Sequence, residues 1–252
     1  MPTMMVAGNW KMNASIESSA ALLEDLVAGA TSLSENTQMV VFPPLPYLAQ
    51  AQQMLQGTAI ALGAQNVSEH AKGAFTGETS AAMLHDFGVR YVLVGHSERR
   101  ALYAETDAVV AAKYKAIQAA GMIPVLCIGE TLQQRQQNET LLVVNAQLQA
   151  VIDAAGVESL GQAIVAYEPV WAIGTGLTAS PEQAQEVHGA IRAHVASQAA
   201  NVAANMQILY GGSVTAATAN ELFAQTDIDG GLVGGASLEA QSFLAIGQAA
   251  QG

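Results

Sequence analysis

The chain has 252 residues and carries 9 Lys and Arg against 21 Asp and Glu, which gives a formal net charge of −12. Nucleic-acid binding needs many cations to neutralise many phosphates, so this balance argues against a nucleic-acid partner. The sequence also has no polybasic segment for an anionic membrane surface. No apolar stretch approaches the roughly 18 residues of a spanning helix. We therefore expect a globular protein with neither nucleic-acid nor membrane partners.

The N-terminus and the cysteine content point to a compartment. Residues 1–6 lack the charged and apolar regions of a signal peptide. The one cysteine, Cys127, excludes an internal disulfide framework. We expect a cytoplasmic protein.

Short apolar runs recur along the chain, each followed by glycine or polar residues and then by a longer helical pattern. Most runs are continuous rather than alternating, which is typical of parallel strands buried on both faces. Gly121 stands where a helix should end. Ser180, Pro181 and Gln183 form a capping box at the start of a helix, and we expect Arg192 on that helix to face solvent. The apolar runs are residues 4–7, 38–42, 59–62, 89–94, 123–128, 163–167, 207–210 and 231–233.

Eight strand candidates, each followed by a helical segment, predict an α/β fold of the closed (β/α)8 barrel type. No linker divides residues 1–252, so we expect a single catalytic domain. An open doubly wound sheet is the alternative, but it would usually carry Gly-x-Gly-x-x-Gly after the first strand. Here Gly8-Asn9-Trp10-Lys11 follows instead. In a barrel, the chemistry belongs at the C-terminal ends of the strands.

Three charged or titratable residues follow predicted strands. Lys11 follows the first strand, where it is either a fixed charge for an anion or an ordinary surface lysine. His96 follows the fourth strand at a predicted helix N-terminus, whose dipole should lower its pKa and favour neutral imidazole. Glu168 follows the sixth strand and precedes Pro169. We expect desolvation there to raise its pKa toward the range of a general base.

Glycine-rich segments follow three of the predicted strands. Residues 169–176 are apolar and end in glycine, a composition that suits a lid excluding water from a ligand. Gly211-Gly212 and Gly234-Gly235 follow the seventh and eighth strands, where barrels frequently bind phosphate. Paired glycines let backbone N–H groups approach a phosphate closely.

The remaining candidates favour structural roles. His188 and His194 lie six residues apart, a spacing that does not suit metal ligation. Cys127 is interpreted as a buried inert thiol, and Arg99 and Arg100 as a salt-bridge cluster. We expect no metal and no organic cofactor.

Five segments together resemble the triosephosphate isomerase family, and the likeness runs from end to end with matching spacing. It implies a TIM barrel, and the reversible interconversion of dihydroxyacetone phosphate and D-glyceraldehyde 3-phosphate through an enediolate. The reaction belongs to glycolysis and gluconeogenesis and needs no cofactor. The segments are residues 9–13, 95–100, 166–176, 210–214 and 234–237.

The resemblance also implies a role for each matching residue. Glu168 would be the base and His96 the neutral electrophile. Lys11 would stabilise the enediolate and attract the substrate, and Asn9 would help to position it. Glu98 would support the Lys11 region. The phosphate would bind to the backbone N–H groups of Gly174, Ser213, Gly234 and Gly235.

Assembly follows from a further part of the resemblance. Residues 65–79 resemble the family's protruding third loop, which inserts into the partner near the catalytic residues of its first strand, with the Thr76 position reaching across. We therefore expect a homodimer. Phe75 on an exposed glycine-rich loop would otherwise be an apolar liability.

The sequence departs from the family pattern at three positions outside the principal catalytic residues. Leu177 stands where many relatives carry Lys, at the outer hinge of the lid. Thr215 and Ala216 stand where Lys and Pro are common. We expect Thr215 and Ala216 to leave the phosphate contacts intact. Leu177 makes the outer hinge of the lid more apolar, and we expect it to alter lid motion without predicting the direction.

Three other functions fit parts of the same pattern. A silent phospho-sugar-binding barrel would keep the glycines and Lys11, but it would not require Glu168 and His96 together with a lid. A barrel aldolase would need a Schiff-base lysine inside the barrel, yet Lys113 and Lys115 lie outside the strand-like runs. A metal-dependent isomerase would need a ligand cluster that the sequence does not offer.

Overall fold

Eight parallel strands form the centre of the molecule. The computed structural model describes residues 3–34, 36–174 and 178–250, so residues 175–177 of the predicted lid lie outside the described residues. Each strand pairs with the next, and the eighth strand pairs with the first in parallel, which closes the sheet into a barrel. The predicted closed barrel is confirmed, and the open doubly wound alternative is wrong. The strands are β1 Met4–Asn9, β2 Thr37–Phe42, β3 Ile60–Ala64, β4 Tyr91–Val94, β5 Ile123–Ile128, β6 Ile164–Tyr167, β7 Gln207–Tyr210 and β8 Gly230–Val233.

Helices follow the strands along the chain. Ser180 caps the helix Pro181–Ala196 with a complete capping box and Pro181 in the first turn, as predicted. Gly121 has φ +76 just after the helix Asp107–Ala119, a left-handed conformation that ends the helix at little cost only in glycine. The described helices are α1 Ile16–Ala30, α2 Leu48–Leu55, α3 Ala81–Asp86, α4 Ser97–Leu102, α5 Asp107–Ala119, α6 Leu132–Gln136, α7 Thr140–Ala155, α8 Pro181–Ala196, α9 Ala200–Asn205, α10 Ala216–Phe223 and α11 Ala240–Ala249. None of them is long and apolar enough to cross a membrane.

Two apolar cores lie on the two sides of the strands. Because successive side chains of a strand alternate in direction, Met5 and Ala7 of β1 pack inside the barrel while Val6 packs outward. The inner core is small and includes the side chains of Phe42, Tyr91 and Leu93. The outer core is the larger one and fills the space between strands and helices. Cys127 is a buried inner-core residue, as predicted, and burial raises the pKa of its thiol.

Most Lys and Arg side chains form ion pairs with acidic side chains of the same chain. Six of the nine Lys and Arg residues form ion pairs within the described part of the chain. Arg99 pairs with Glu105 and Arg100 with Asp107, both at 2.5 Å, so the predicted salt-bridge cluster is confirmed. The prediction that Arg192 faces solvent is wrong.

Arg192 is instead the hub that joins α8 to the segment before β8. Its Nε donates to Asp227 Oδ1 at 2.6 Å and its Nη2 to Asp229 Oδ2 at 2.8 Å. Its Nη1 donates to the carbonyls of Ala203 and Met206. The planar guanidinium carries five donors and can satisfy several acceptors at once, which a sequence pattern based on apolar spacing does not show.

Closure of the barrel depends on a glycine at the start of β8. Gly230 has φ +131, and a Cβ added there would lie 1.9 Å from the carbonyl oxygen of Met5. We predict that Gly230→Ala destabilises the fold by about 4 kcal/mol or more, because the side chain strains the backbone and separates β8 from β1. Urea unfolding of the variant and the wild type measures the difference.

The matched control is Gly161→Ala. Among the described residues, no atom lies within 4 Å of a Cβ added at Gly161, and Gly161 has no positive φ. The free energy of unfolding of this variant should therefore stay within about 0.5 kcal/mol of the wild type. Equal stabilities for the two variants would contradict the closure argument.

Candidate active site

A pocket of about 340 Å³ opens at the carboxyl end of the barrel. Because all eight strands are parallel, the residues that follow them converge on this rim. Eight of the residues predicted from the sequence line it together: Asn9, Lys11, His96, Glu168, Gly174, Ser213, Gly234 and Gly235. A groove of about 600 Å³ adjoins the pocket and contains Glu98. Thr76 is exposed on the loop beyond it and lines neither cavity.

The carboxylate of Glu168 lies at the floor of the pocket against the start of α4. Its Oε1 is 2.9 Å from His96 Nε2, and its Oε2 accepts the backbone N–H of Ser97 at 2.9 Å. Both side chains are almost fully buried, at 2% and 7% exposure. A charged hydrogen bond in such a place is strong because water does not compete for it.

His96 is the N-cap of α4, and its ring is held in one tautomer. Nδ1 accepts the backbone N–H of Glu98 at 3.2 Å. An accepting nitrogen carries no proton in neutral imidazole, so the proton is on Nε2, which faces the pocket and Glu168. The neutral electrophile implied by the resemblance requires this tautomer.

The pKa shifts of the pair run opposite to the expectations from sequence. Burial lowers the pKa of His96, but the carboxylates of Glu168 and Glu98 together raise it by more, so it lies above its ordinary value. Burial raises the pKa of Glu168, but His96, the Ser97 N–H and the Lys11 charge together lower it by more. The predicted lowering for His96 and the predicted raising for Glu168 are both wrong, because the neighbouring charges and hydrogen bonds together outweigh burial.

Lys11 reaches the pocket through an unusual backbone conformation. Its φ is +52, in the left-handed region, which costs a non-glycine residue about 1–3 kcal/mol. Asn9 Oδ1 accepts the Lys11 N–H at 3.0 Å, and Gln65 Nε2 donates to the Lys11 carbonyl at 2.8 Å. The Lys11 Nζ is 2.5 Å from Glu98 Oε1. Its ammonium is therefore fixed at the rim next to His96.

Four residues with free backbone N–H groups also line the pocket. Within the described residues, the N–H groups of Gly174, Ser213, Gly234 and Gly235 donate no hydrogen bond. Ser213 Oγ donates to the carbonyl of Ala172, which ties this wall to the segment after β6. Free N–H groups converging with an ammonium form a site for a small anion.

A buried acid that sequence reasoning missed anchors the start of the predicted lid. Glu130 is 0% exposed, and both of its carboxylate oxygens accept the Tyr167 hydroxyl at 3.1 Å. Its Oε1 also accepts Trp171 Nε1 at 2.9 Å and Arg135 Nη1 at 3.3 Å. The signal was present, since Glu130 follows the strand β5 as the other site residues follow theirs.

The contacts of Ser97 and Gly211 with Glu168 were also missed. Ser97 holds Glu168 with its backbone N–H, a contact between residues 71 apart in sequence. Gly211 lies against Glu168, because a Cβ added there would be 2.9 Å from Glu168 Cγ. A Gly-Gly pair predicts close approach of a ligand equally well, so this second contact could not be predicted from the sequence.

The site combines proton transfer with anion binding. Within the described residues no group of three or more His, Cys, Asp or Glu side chains could hold a metal ion. The fold and the pocket therefore define an acid–base barrel enzyme that acts on a small anionic molecule. Comparison with known proteins identifies the family. The triosephosphate isomerase family model matches residues 4–250, and this chain belongs to the triosephosphate isomerase family.

Individual relatives are similar over nearly their whole length. The triosephosphate isomerases of Dechloromonas aromatica and Thiobacillus denitrificans are each 61% identical over 246 residues, covering 98% of this chain and 98% of each relative. That of Nitrosomonas europaea is 56% identical over 246 residues, covering 98% of this chain and 97% of the relative.

The contact between Gly211 and the buried carboxylate can be tested. We predict that Gly211→Ala lowers kcat/KM by about ten- to a hundredfold, because the new methyl displaces Glu168 from its position and small misplacements of reacting groups cost about that much. Steady-state kinetics on protein whose fold is verified by circular dichroism measures the effect. Gly161→Ala, which adds a methyl group in open space, should leave kcat/KM unchanged. A Gly211→Ala enzyme with normal kcat/KM would contradict the contact argument.

Proposed function

We propose that this chain is a cofactor-independent isomerase that interconverts dihydroxyacetone phosphate and D-glyceraldehyde 3-phosphate in glycolysis and gluconeogenesis. The observation that carries the proposal is the 2.9 Å contact of Glu168 with His96 beside Lys11 and the free backbone N–H groups. Proton transfer next to a carbonyl needs a base, a donor for the carbonyl oxygen and a site for the attached charge.

Glu168 would take a proton from one substrate carbon and return it to the neighbouring carbon. His96 would donate its Nε2 proton to the carbonyl oxygens, and Lys11 would stabilise the negative charge of the enediolate. The Asn9 side chain accepts the backbone N–H of Lys11 and so supports that residue. Asn9 would also position the substrate at the rim. Glu98 would hold the ammonium and, through its backbone N–H, the tautomer of His96.

The substrate would have to displace the contact between Glu168 and His96. The His96 Nε2 proton cannot serve a carbonyl oxygen while Glu168 accepts it, and the carboxylate must turn toward the carbon. Once it leaves His96 and Ser97, Glu168 loses the contacts that lower its pKa and keeps the burial that raises it. Substrate binding would thereby make the carboxylate a stronger base.

The phosphate would bind at the N–H groups of Gly174, Ser213, Gly234 and Gly235. Because these groups belong to segments after β6, β7 and β8, a bound phosphate would join the lid to the rim and exclude water from the enediolate. Residues 1–252 would act as a single catalytic domain in the cytoplasm, where one buried Cys127 needs no oxidising compartment.

We propose that the working form is a homodimer. The groove of about 600 Å³ beside the pocket is lined by Met12, Leu102 and Tyr103, which are 94%, 73% and 67% exposed. Apolar exposure of this extent marks a protein contact surface. The loop with Thr76 and Phe75 protrudes next to it, with Phe75 stacked on His70, and would insert into the groove of a second copy.

The proposed activity is tested by a coupled assay on D-glyceraldehyde 3-phosphate in excess chelator, with the wild type and Glu168→Gln in parallel. The wild type should turn over, whereas Glu168→Gln should lose about 10³-fold or more in kcat, because an amide cannot accept the proton. A folded wild type without turnover would refute the function. Near-normal kcat for Glu168→Gln would refute the assignment of the base.

The dimer is tested by sedimentation of Leu102→Asp. A charge in the groove should shift the protein to monomer and lower its activity, because an interface does not bury an unpaired carboxylate. The matched control is Leu142→Asp on α7, since Leu142 is 70% exposed but lies outside the groove. A wild type that sediments as a monomer at micromolar concentration would overturn the proposal.

A further inference from the structure

His188 is a buried side chain that the proposed mechanism does not use. It lies on α8, the first helix after the predicted lid, and it is 0% exposed. Burial lowers its pKa to about 4, so the ring is neutral at pH 7. A neutral buried histidine is most simply a packing residue, but its contacts point to the lid.

One edge of the ring is anchored to the loop before β8. His188 Nδ1 is 3.1 Å from the carbonyl oxygen of Asp227. A carbonyl only accepts hydrogen bonds, so Nδ1 carries the proton. Asp227 is itself held by Arg192 at 2.6 Å and by Gln185. The imidazole therefore has a fixed position and a fixed tautomer.

The ring edge packs against the tyrosine that ends β6. The His188 and Tyr167 centroids are 5.8 Å apart with an interplanar angle of 85°, the edge-to-face arrangement that aromatic rings prefer. The Tyr167 hydroxyl binds both oxygens of Glu130, and Glu130 accepts Trp171 Nε1 at 2.9 Å. His188 thus stands at the far end of a chain of contacts that leads to the first turn of the predicted lid.

The other nitrogen of His188 shows that packing alone does not account for the residue. Nε2 is buried and has no hydrogen-bond partner within the described residues. A buried acceptor without a donor costs stability that a phenyl or leucine side chain would avoid. A site retaining such a group needs a reason beyond filling space.

We propose that His188 is a positioning residue for the lid, which fixes the Tyr167 ring and through it the Glu130 carboxylate that binds the Trp171 indole. This proposal rests on the proposed function for its kinetic consequences. Loss of the aromatic edge would let Tyr167 turn, move Glu130 and weaken the anchor of the segment that starts at Pro169.

The experiment separates the two contacts of the ring. His188→Gln keeps an N–H donor for the Asp227 carbonyl but removes the aromatic edge. His188→Phe keeps the edge and removes the donor. We expect kcat/KM to fall about tenfold in His188→Gln and to stay within threefold of the wild type in His188→Phe. Should His188→Gln not fold, His188→Asn makes the same comparison. His194→Leu is the control, since His194 lies on the same helix but contacts Gln149, and it should leave the kinetics unchanged.

A second readout does not depend on turnover. Trp171 is one of two tryptophans in the chain, and the other, Trp10, is 0% exposed. Release of the Trp171 indole from Glu130 should shift the tryptophan emission of His188→Gln, whereas His188→Phe should match the wild type. This shift tests the proposal even if the wild type shows no isomerase activity, in which case the proposed function alone fails.

A double-mutant cycle completes the test. Tyr167→Phe removes the hydroxyl that binds Glu130, so if His188 acts through Tyr167, His188→Gln should add less than threefold to its kinetic defect. Multiplicative defects would overturn the proposal. So would normal kinetics and unshifted emission in His188→Gln, or equal damage in His188→Gln and His188→Phe.

Discussion

Hydrogen bonding between β1 and β8 turns a run of strands into a ring, and the site exists because the ring closes. Lys11 follows β1 and Gly234 follows β8, so they are far apart in sequence, yet a Cβ on Gly234 would lie 3.5 Å from Lys11 Cε. Closure places the ammonium and the free N–H groups on one rim. The same closure requires Gly230, whose conformation and lack of a side chain let β8 approach Met5. The anion site and the fold thus depend on a single pairing.

Much of this architecture could be predicted from the sequence, because parallel strands buried on both faces leave continuous apolar runs. All eight runs became strands with ends shifted by no more than two residues. The chemistry-bearing residues were predictable for a related reason. Residues that follow parallel strands must share one rim, so Lys11, His96 and Glu168 could be assigned to a common pocket before any distance was known.

The electrostatics could not be predicted in the same way. The position of each residue along the chain indicated its local environment, but the direction of the pKa shifts of His96 and Glu168 also depends on their mutual contact across 72 positions of sequence. The solvent-facing orientation predicted for Arg192 is wrong for the same reason, because apolar spacing cannot show that Asp227 and Asp229 lie within hydrogen-bond distance of its side chain on α8. Glu130 was missed because its partners, Tyr167 and Trp171, come from a different strand end. Pairwise contacts of this kind become visible only in three dimensions.

Six of the nine Lys and Arg side chains are paired among the residues that the structure describes, and this pairing has a consequence for how an anionic substrate arrives. Even the charge of Lys11 is neutralised by the adjacent Glu98 as far as a distant molecule is concerned. The net charge of −12 therefore gives the protein a long-range electrostatic field that repels an anionic substrate. At physiological ionic strength that field is screened beyond about 8 Å. Salt, which slows an electrostatically steered encounter, here removes a barrier. Capture then depends on diffusion to within a few ångströms of the rim, where the ammonium and the N–H dipoles act.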